Sequence, residues 1–235
     1  MAFVIYELCG SDERNLFSPH CWKARMSLAH KGLDFEVVPT PFTAIGEVED
    51  RSSRTLPIVR DRARVISDSF EIALYLEREY PDRESLFAGA GGVSLARFVQ
   101  HWTQSNLHSI VGQACLLEIH DGLAPRDQQY FRESRESRFG ASLEEVAEAG
   151  AEAWKRIHEV LAPLESMLGN QPYIGGEAPL FADYIVFGCF QWMRMVSTTY
   201  ALDPKTAVHD WFSRLLGLYE GLGLSSPSAR DRMAS

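Results

Sequence analysis

Three short segments carry residue types that a folded backbone can turn to chemistry. The first is Ser18-Pro19-His20-Cys21. Serine is a favoured N-cap and proline a favoured first helical residue, so the pair reads as a helix start with a hydroxyl beside its free backbone N–H groups. The second is Thr55-Leu56-Pro57-Ile58-Val59, where a proline opens a β-rich run. The third is Ser67-Asp68-Ser69-Phe70-Glu71, which sets a carboxylate, a hydroxyl and unpaired N–H groups at another helix start. Each segment also has a purely structural role open to it. Ser18 can simply cap a helix, Pro57 can be an ordinary trans proline, and Asp68 with Glu71 has the spacing of a capping box.

The elements that must position these residues follow from periodicity. Residues 3–8 (FVIYEL) and 35–39 (FEVVP) read as strands, while PIVR and RVIS flank Asp61-Arg62-Ala63 as hairpin arms. Between the first two strands, Pro19 to Lys31 puts Trp22, Met26 and Ala29 on one helical face, and Gly32 is a C′ stop. A second helix runs from Ser69 to Tyr80 and ends at Pro81. Strand, helix, strand, then two strands and a helix is a βαβ unit followed by ββα, the topology of the thioredoxin fold. Residues 85–92 (SLFAGAGG) read as a linker. Beyond it the chain looks helical over Arg97–His120, Asp127–Phe139, Leu143–Leu168, Asp183–Thr199 and His209–Leu222, with a frayed tail from Ser225. The expected fold is α/β plus all-α: a thioredoxin-like domain over 1–84, the linker 85–92, and a helical bundle over 93–235.

In a thioredoxin fold the N-terminus of the first helix is where thiols are held. Here the frame of a CxxC motif has serine in place of its first cysteine, so the segment cannot run a dithiol cycle and is suited instead to stabilising an incoming thiolate. A free thiol with a pKa of about 8.5 is only slightly ionised at neutral pH. A hydroxyl hydrogen bond to an anion contributes about 1.5–3 kcal/mol and a helix N-terminus about 0.3–1 kcal/mol, together a downward shift of roughly one to three pKa units. Pro57 falls where this fold holds a cis-proline, which frees the Leu56 backbone to pair with an extended peptide. The helix start at Ser69 suits an α-carboxylate and Asp68 its ammonium. A thiol, a peptide backbone and an amino-acid terminus are the three parts of glutathione.

The SPxxW start, the LPIV segment, DSFEIALYLEREYPDR and FADYIVFGCFQW resemble a cytosolic glutathione S-transferase. Within that superfamily the arrangement is similar to the serine-type bacterial β-etherases and to related fungal etherase-like transferases, a likeness that continues through HDGLAPRDQQYFRESRE and HDWFSRLLGLYEGLG. The resemblance implies the glutathione transferase fold, glutathione as cosubstrate, no metal, and a homodimer. By position, Ser18 would hydrogen-bond the glutathione sulfur, Leu56 with Pro57 would clamp its backbone, and Asp68 with Ser69 would hold its γ-glutamyl end. Arg54 would meet the glycyl carboxylate, unless it is a solvated surface arginine. Tyr6 and Cys21 are rival thiol activators. A hydrophobic aromatic electrophile would lie between the domains, against His20, Trp102, His108 and Cys115, open to glutathione conjugation or to β-aryl ether cleavage. A noncatalytic binding module, or a thiol reductase acting through Cys21 or Cys9, are the alternatives. One departure from the pattern is Leu180, which stands where a Ser or Thr usually forms a capping box with Asp183.

Composition narrows the partners. With 32 acidic and 23 basic side chains the net charge is −9, which opposes nucleic-acid binding. The four cysteines are scattered, with no zinc or disulfide spacing. No apolar run approaches the roughly 18 residues of a membrane span, and the opening MAFVIYELCG lacks a signal peptide's basic and apolar regions. These features predict a soluble, cytoplasmic protein with no membrane partner.

Overall fold

The computed structural model describes residues 2–49, 51 and 53–234. Four strands form one sheet in the order β2-β1-β3-β4: β1 (Phe3–Leu8), β2 (Phe35–Thr40), β3 (Ile58–Asp61) and β4 (Arg64–Ser67). Strands β1 and β2 are parallel, as a crossover through α1 (Pro19–His30) requires, and β3 is antiparallel to both β1 and β4. Helices α1 and α2 (Ser69–Glu79) pack on each other and on the sheet, around Ile5, Trp22, Met26, Val59, Ile72 and Leu76, all fully buried. Glu7 ties β1 to α1 through a buried two-pronged bond to Arg25, whose guanidinium also lies 4.4 Å above the Trp22 ring. This is the thioredoxin-like βαβ–ββα arrangement.

The rest is helical: α3 (Ala90–Trp102), α4 (His108–Ala114), α5 (Leu116–Asp121), α6 (Pro125–Phe139), α7 (Leu143–Trp154), α8 (Ile157–Leu168), α9 (Phe181–Val196), α10 (Ala207–Gly221) and α11 (Ala229–Met233). Several boundaries differ from the sequence reading. The segment 97–120 is not one helix: a π-type turn at Thr103–Leu107 separates α3 from α4, and Cys115 (φ −91°, ψ 8°) separates α4 from α5. Val99, Leu107, Val111, Cys115 and Ile119 are all buried across these breaks, so the apolar stripe hides them. The segment 143–168 likewise divides at Lys155-Arg156. Helix α3 starts at Ala90, inside the expected linker, and Gly92 in its first turn packs where a Cβ would come 1.6 Å from the Phe87 carbonyl oxygen. The tail is ordered too: Ser228 and Asp231 form a capping box for α11, and Arg232 donates to the carbonyls of Pro227 and Met195.

Helix α9 is the central pillar, almost wholly buried and packed along α1. Gly188 permits this, since a Cβ there would lie 2.3 Å from the Pro19 carbonyl oxygen. At the start of α9, Asp183 accepts from the backbone N–H groups of Ile174 (2.7 Å), Gly175 (2.9 Å) and Leu180 (2.9 Å) and from the Trp211 indole (2.8 Å). Leu180 leaves only the aspartate's half of a capping box, and three further donors occupy the carboxylate. Among the described residues no helix is long and apolar enough to cross a membrane.

Candidate functional site

A cleft of about 510 Å³ opens between the sheet domain and the helices. One wall comes from the N-terminus of α1, the short 3-10 turn Phe42–Glu47 and the loop before β3; the other comes from α4, α6 and α9. Asp127 of α6 joins the two halves beside it, accepting from the backbone N–H groups of Phe42 (3.1 Å) and Thr43 (3.0 Å).

Ser18 is the N-cap of α1 and lines the cleft, and Pro19 is the first helical residue. Its Oγ accepts from the Cys21 N–H at 3.3 Å, and its hydroxyl lies within reach of the Cys21 thiol, from which it can turn to a stronger acceptor. The side chain is 5% exposed, so an anion beside it meets both a hydroxyl and a helix N-terminus away from bulk water. Arg54 and Leu56 are on the same wall. The Leu56–Pro57 bond is cis, and the β3 ladder begins only at Ile58, so Leu56 stands ahead of the paired strand. Asp68 caps α2 from a left-handed backbone (φ +70°), with one oxygen, Oδ1, accepting from Phe70 (2.8 Å) and Glu71 (3.1 Å). Glu71 turns to Arg97 at 3.7 Å rather than back to the cap. Asp68 and the buried Ser69 stand outside the cleft's lining.

The protein's own thiols are poorly suited to attack. All four cysteines are buried and none is in a disulfide. Burial, aided by neighbouring acidic groups, pushes the Cys9 thiol up to about 11 and those of Cys21 and Cys115 up to about 12, and burial raises Cys189 further. Tyr6 is also outside the lining. Its hydroxyl donates to Glu49, which Arg60 holds at 2.8 Å, and burial with that bond raises the phenol's pKa.

Where the two walls meet, His20 of α1 and His108 of α4 lie edge to face at 5.3 Å between ring centroids, and His108 meets Trp192 of α9 in the same manner at 5.9 Å. Burial and the charge of Lys23 hold both imidazoles neutral, His108 down to about 3. Trp102 and Cys115, expected beside these histidines, do not line the cleft. The π-type turn after Trp102 re-aims the helix so that Gln104, His108 and Gly112 face inward, and Cys115 is fully buried at the α4–α5 break. The sequence reading missed Trp192, Gly112 and Arg135, which do line it. Trp192 had a signal: it follows Gly188 by four residues, one turn along the same face of α9. Gly112 makes room for it, since a Cβ there would come 2.7 Å from the indole. Among the described residues no group of three or more His, Cys, Asp or Glu side chains is placed to hold a metal ion.

Comparison with known proteins bears on this architecture. Residues 17–79 match the family model for the glutathione S-transferase N-terminal domain, and residues 94–216 that for the C-terminal domain. A glutathione transferase of Phanerochaete chrysosporium superposes with a TM-score of 0.76 at 26% identity, covering 94% of this chain and 92% of that one. A glutathione S-transferase of Ceriporiopsis subvermispora, solved in complex with glutathione, has the same fold: TM-score 0.78 at 23% identity, over 94% and 97% of the two chains. A zeta-class glutathione S-transferase of Euphorbia esula is 27% identical over 135 residues, 55% of this chain and 60% of that protein, so the match spans less than two thirds of the relative's length.

Proposed function

This chain belongs to the glutathione S-transferase family, and from that premise we propose that it binds glutathione, ionises its thiol beside Ser18 and directs the thiolate at an electrophilic carbon of an aromatic substrate. The observation that carries the reading is the Ser18 hydroxyl at the N-terminus of α1, on the wall of the cleft. Leu56 is the backbone clamp, Asp68 and Ser69 hold the γ-glutamyl end, and Arg54 takes the glycyl carboxylate. Bound glutathione brings its thiol beside two stabilisers of the anion, the hydroxyl and the helix N-terminus, so the proton passes to solvent and the sulfur remains as thiolate.

In the ether-cleaving form of this reading the substrate carries an aryloxy group on the carbon next to a ketone. Sulfur forms a bond to that carbon, the carbon–oxygen bond breaks with its electron pair on oxygen, and the phenolate takes up a proton. The chain then contributes an activated nucleophile and proximity, with no covalent enzyme intermediate. A disulfide reductase acting through Cys21 or Cys9 is disfavoured, because thiols held at about 12 and about 11 supply almost no thiolate at neutral pH.

Assaying the purified protein with glutathione against an aryl ether, a halogenated aromatic and a disulfide tests the reading. Turnover of the ether or the halide without disulfide reduction is expected. Reduction of the disulfide that Cys21→Ala abolishes, or no glutathione binding by calorimetry, overturns it.

A further inference from the structure

The chain carries a net charge of −9, yet the charged side chains among the described residues that line the cleft are Arg54, Arg135 and Arg138, with no aspartate or glutamate. Arg54 stands with Leu56 on the thioredoxin-like wall, while Arg135 and Arg138 come from α6 on the other. Helix α6 pairs its charges elsewhere. Arg132 donates to Glu136 at 2.9 Å and to Glu144 of α7 at 3.0 Å. Phe131, Arg135 and Arg138, at i, i+4 and i+7, share the face that lines the cleft.

Among the described residues Arg135 has no carboxylate partner; its guanidinium donates to the Ser134 hydroxyl at 3.0 Å. It lies 4.6 Å from the centroid of the Phe131 ring and 5.7 Å from that of Phe42. A guanidinium stays charged in proteins, so this place holds a partly buried cation without an anion and beside a second cation. Burial and the charge of Arg138 accordingly pull the Arg135 pKa below its ordinary value. A carboxylate brought here meets a planar fork of donors and no competing acid. Glutathione does not supply it in the pose proposed above, because its glycyl end goes to Arg54 and its γ-glutamyl end to Asp68 and Ser69. The surroundings are aromatic, with Phe42 at 6.0 Å from Tyr130 and 5.8 Å from Phe131 between ring centroids. A flat ring can therefore pack there with an anion at its edge.

We propose that Arg135 is a specificity-determining residue for the second substrate, and that the electrophile it selects is an aromatic acid, its ring against Phe42 and Tyr130 and its carboxylate on the Arg135 guanidinium. The inference rests on the transferase reading, since it concerns that reading's second substrate. Arg138, exposed beside it, adds positive potential that draws the anion in.

The test compares para-(chloromethyl)benzoate with para-(chloromethyl)benzamide, which match in shape and differ in charge. In both, the glutathione sulfur bonds to the benzylic carbon and chloride leaves with the electron pair of the broken bond. After subtraction of the uncatalysed rates, the benzoate-to-benzamide ratio of kcat/KM is expected to fall about tenfold or more in Arg135→Met. A ratio within about twofold of the unaltered protein's overturns the acid site and leaves the transferase reading standing. A rise in the KM for glutathione beside that constant ratio overturns it too, and assigns Arg135 to a glutathione carboxylate. Competition in the unaltered protein decides the matter if the variant does not fold: para-toluate is expected to inhibit about tenfold more tightly than para-toluamide, and equal inhibition overturns the proposal. No glutathione binding and no turnover of either chloride by the unaltered protein overturns both readings.

Discussion

The two walls of the cleft solve different problems with different materials. The wall from the thioredoxin-like domain presents helix ends and backbone: the Ser18 cap, Leu56 ahead of a strand, and near them the Asp68 cap of α2. The helical wall presents side chains, His108, Trp192 and Arg135, brought in from three different helices. A site made of backbone ends suits a ligand of fixed chemistry, because its geometry is set by local structure. A site made of side chains on packed helices is tuned by small changes of helix register, which suits a variable second substrate. The comparison teaches that the first wall is robust to its surroundings and the second depends on what holds the helices in place.

The largest effect is therefore expected at the anchor of the second wall. Asp183→Ala leaves three backbone donors and the Trp211 indole unmatched in a fully buried place, and unfolding in urea should show a loss of about 4 kcal/mol. A loss below about 1 kcal/mol would mean that another contact sets the α9 register.

The first wall is broken by Ser18→Ala. Loss of the hydroxyl bond to the thiolate should lower kcat/KM at pH 7 about 10- to 100-fold and move the bound thiol's titration up by roughly one to two units, followed by thiolate absorbance. Stability should change little by comparison, since cap removal costs about 1 kcal/mol.

Lys23→Met, on α1 between the two walls, should stabilise the protein at neutral pH by about 1–2 kcal/mol, because it removes a buried charge whose hydrogen bond is to one imidazole. The lysine's folded pKa of about 8 is below its ordinary value of 10.5. Between those values the unfolded chain holds the proton that the folded chain has lost, so stability of the unaltered protein rises with pH there. The advantage of the variant should shrink over the same window, with Asp68, whose charge favours the ammonium, and neighbouring His20 left in place. A gap constant from pH 7 to 10 would break this account of Lys23.

The smallest effect is an absence of reaction. Four buried thiols with raised pKa values should resist alkylation at neutral pH until the chain is denatured, checked by mass spectrometry. Rapid labelling of Cys21 in the folded protein would reopen a cysteine mechanism.

The same division explains what could be read from the residues alone. Ser18-Pro19, Pro57 and Asp68-Ser69 are signals written within a few positions, because caps and strand starts are local events. The strand order followed from the spacing of βαβ and ββα units, and Gly32 does end α1 with a positive φ. The helical wall was less legible because its members meet through tertiary packing. An unbroken apolar stripe concealed the π-type turn that carries His108 inward and leaves Trp102 out. Trp192 looks in sequence like one more core aromatic, and only the Gly188 contact with Pro19 shows which way its face of α9 points. Lys23 offered no signal, since a lysine in a helix is expected in solvent.

The most direct test of the central claim is a crystal structure of this protein with glutathione bound, read for the group nearest the sulfur. The account predicts the Ser18 hydroxyl within hydrogen-bonding distance, with the sulfur at the N-terminus of α1. A sulfur closer to the Tyr6 hydroxyl or to Cys21 would contradict it.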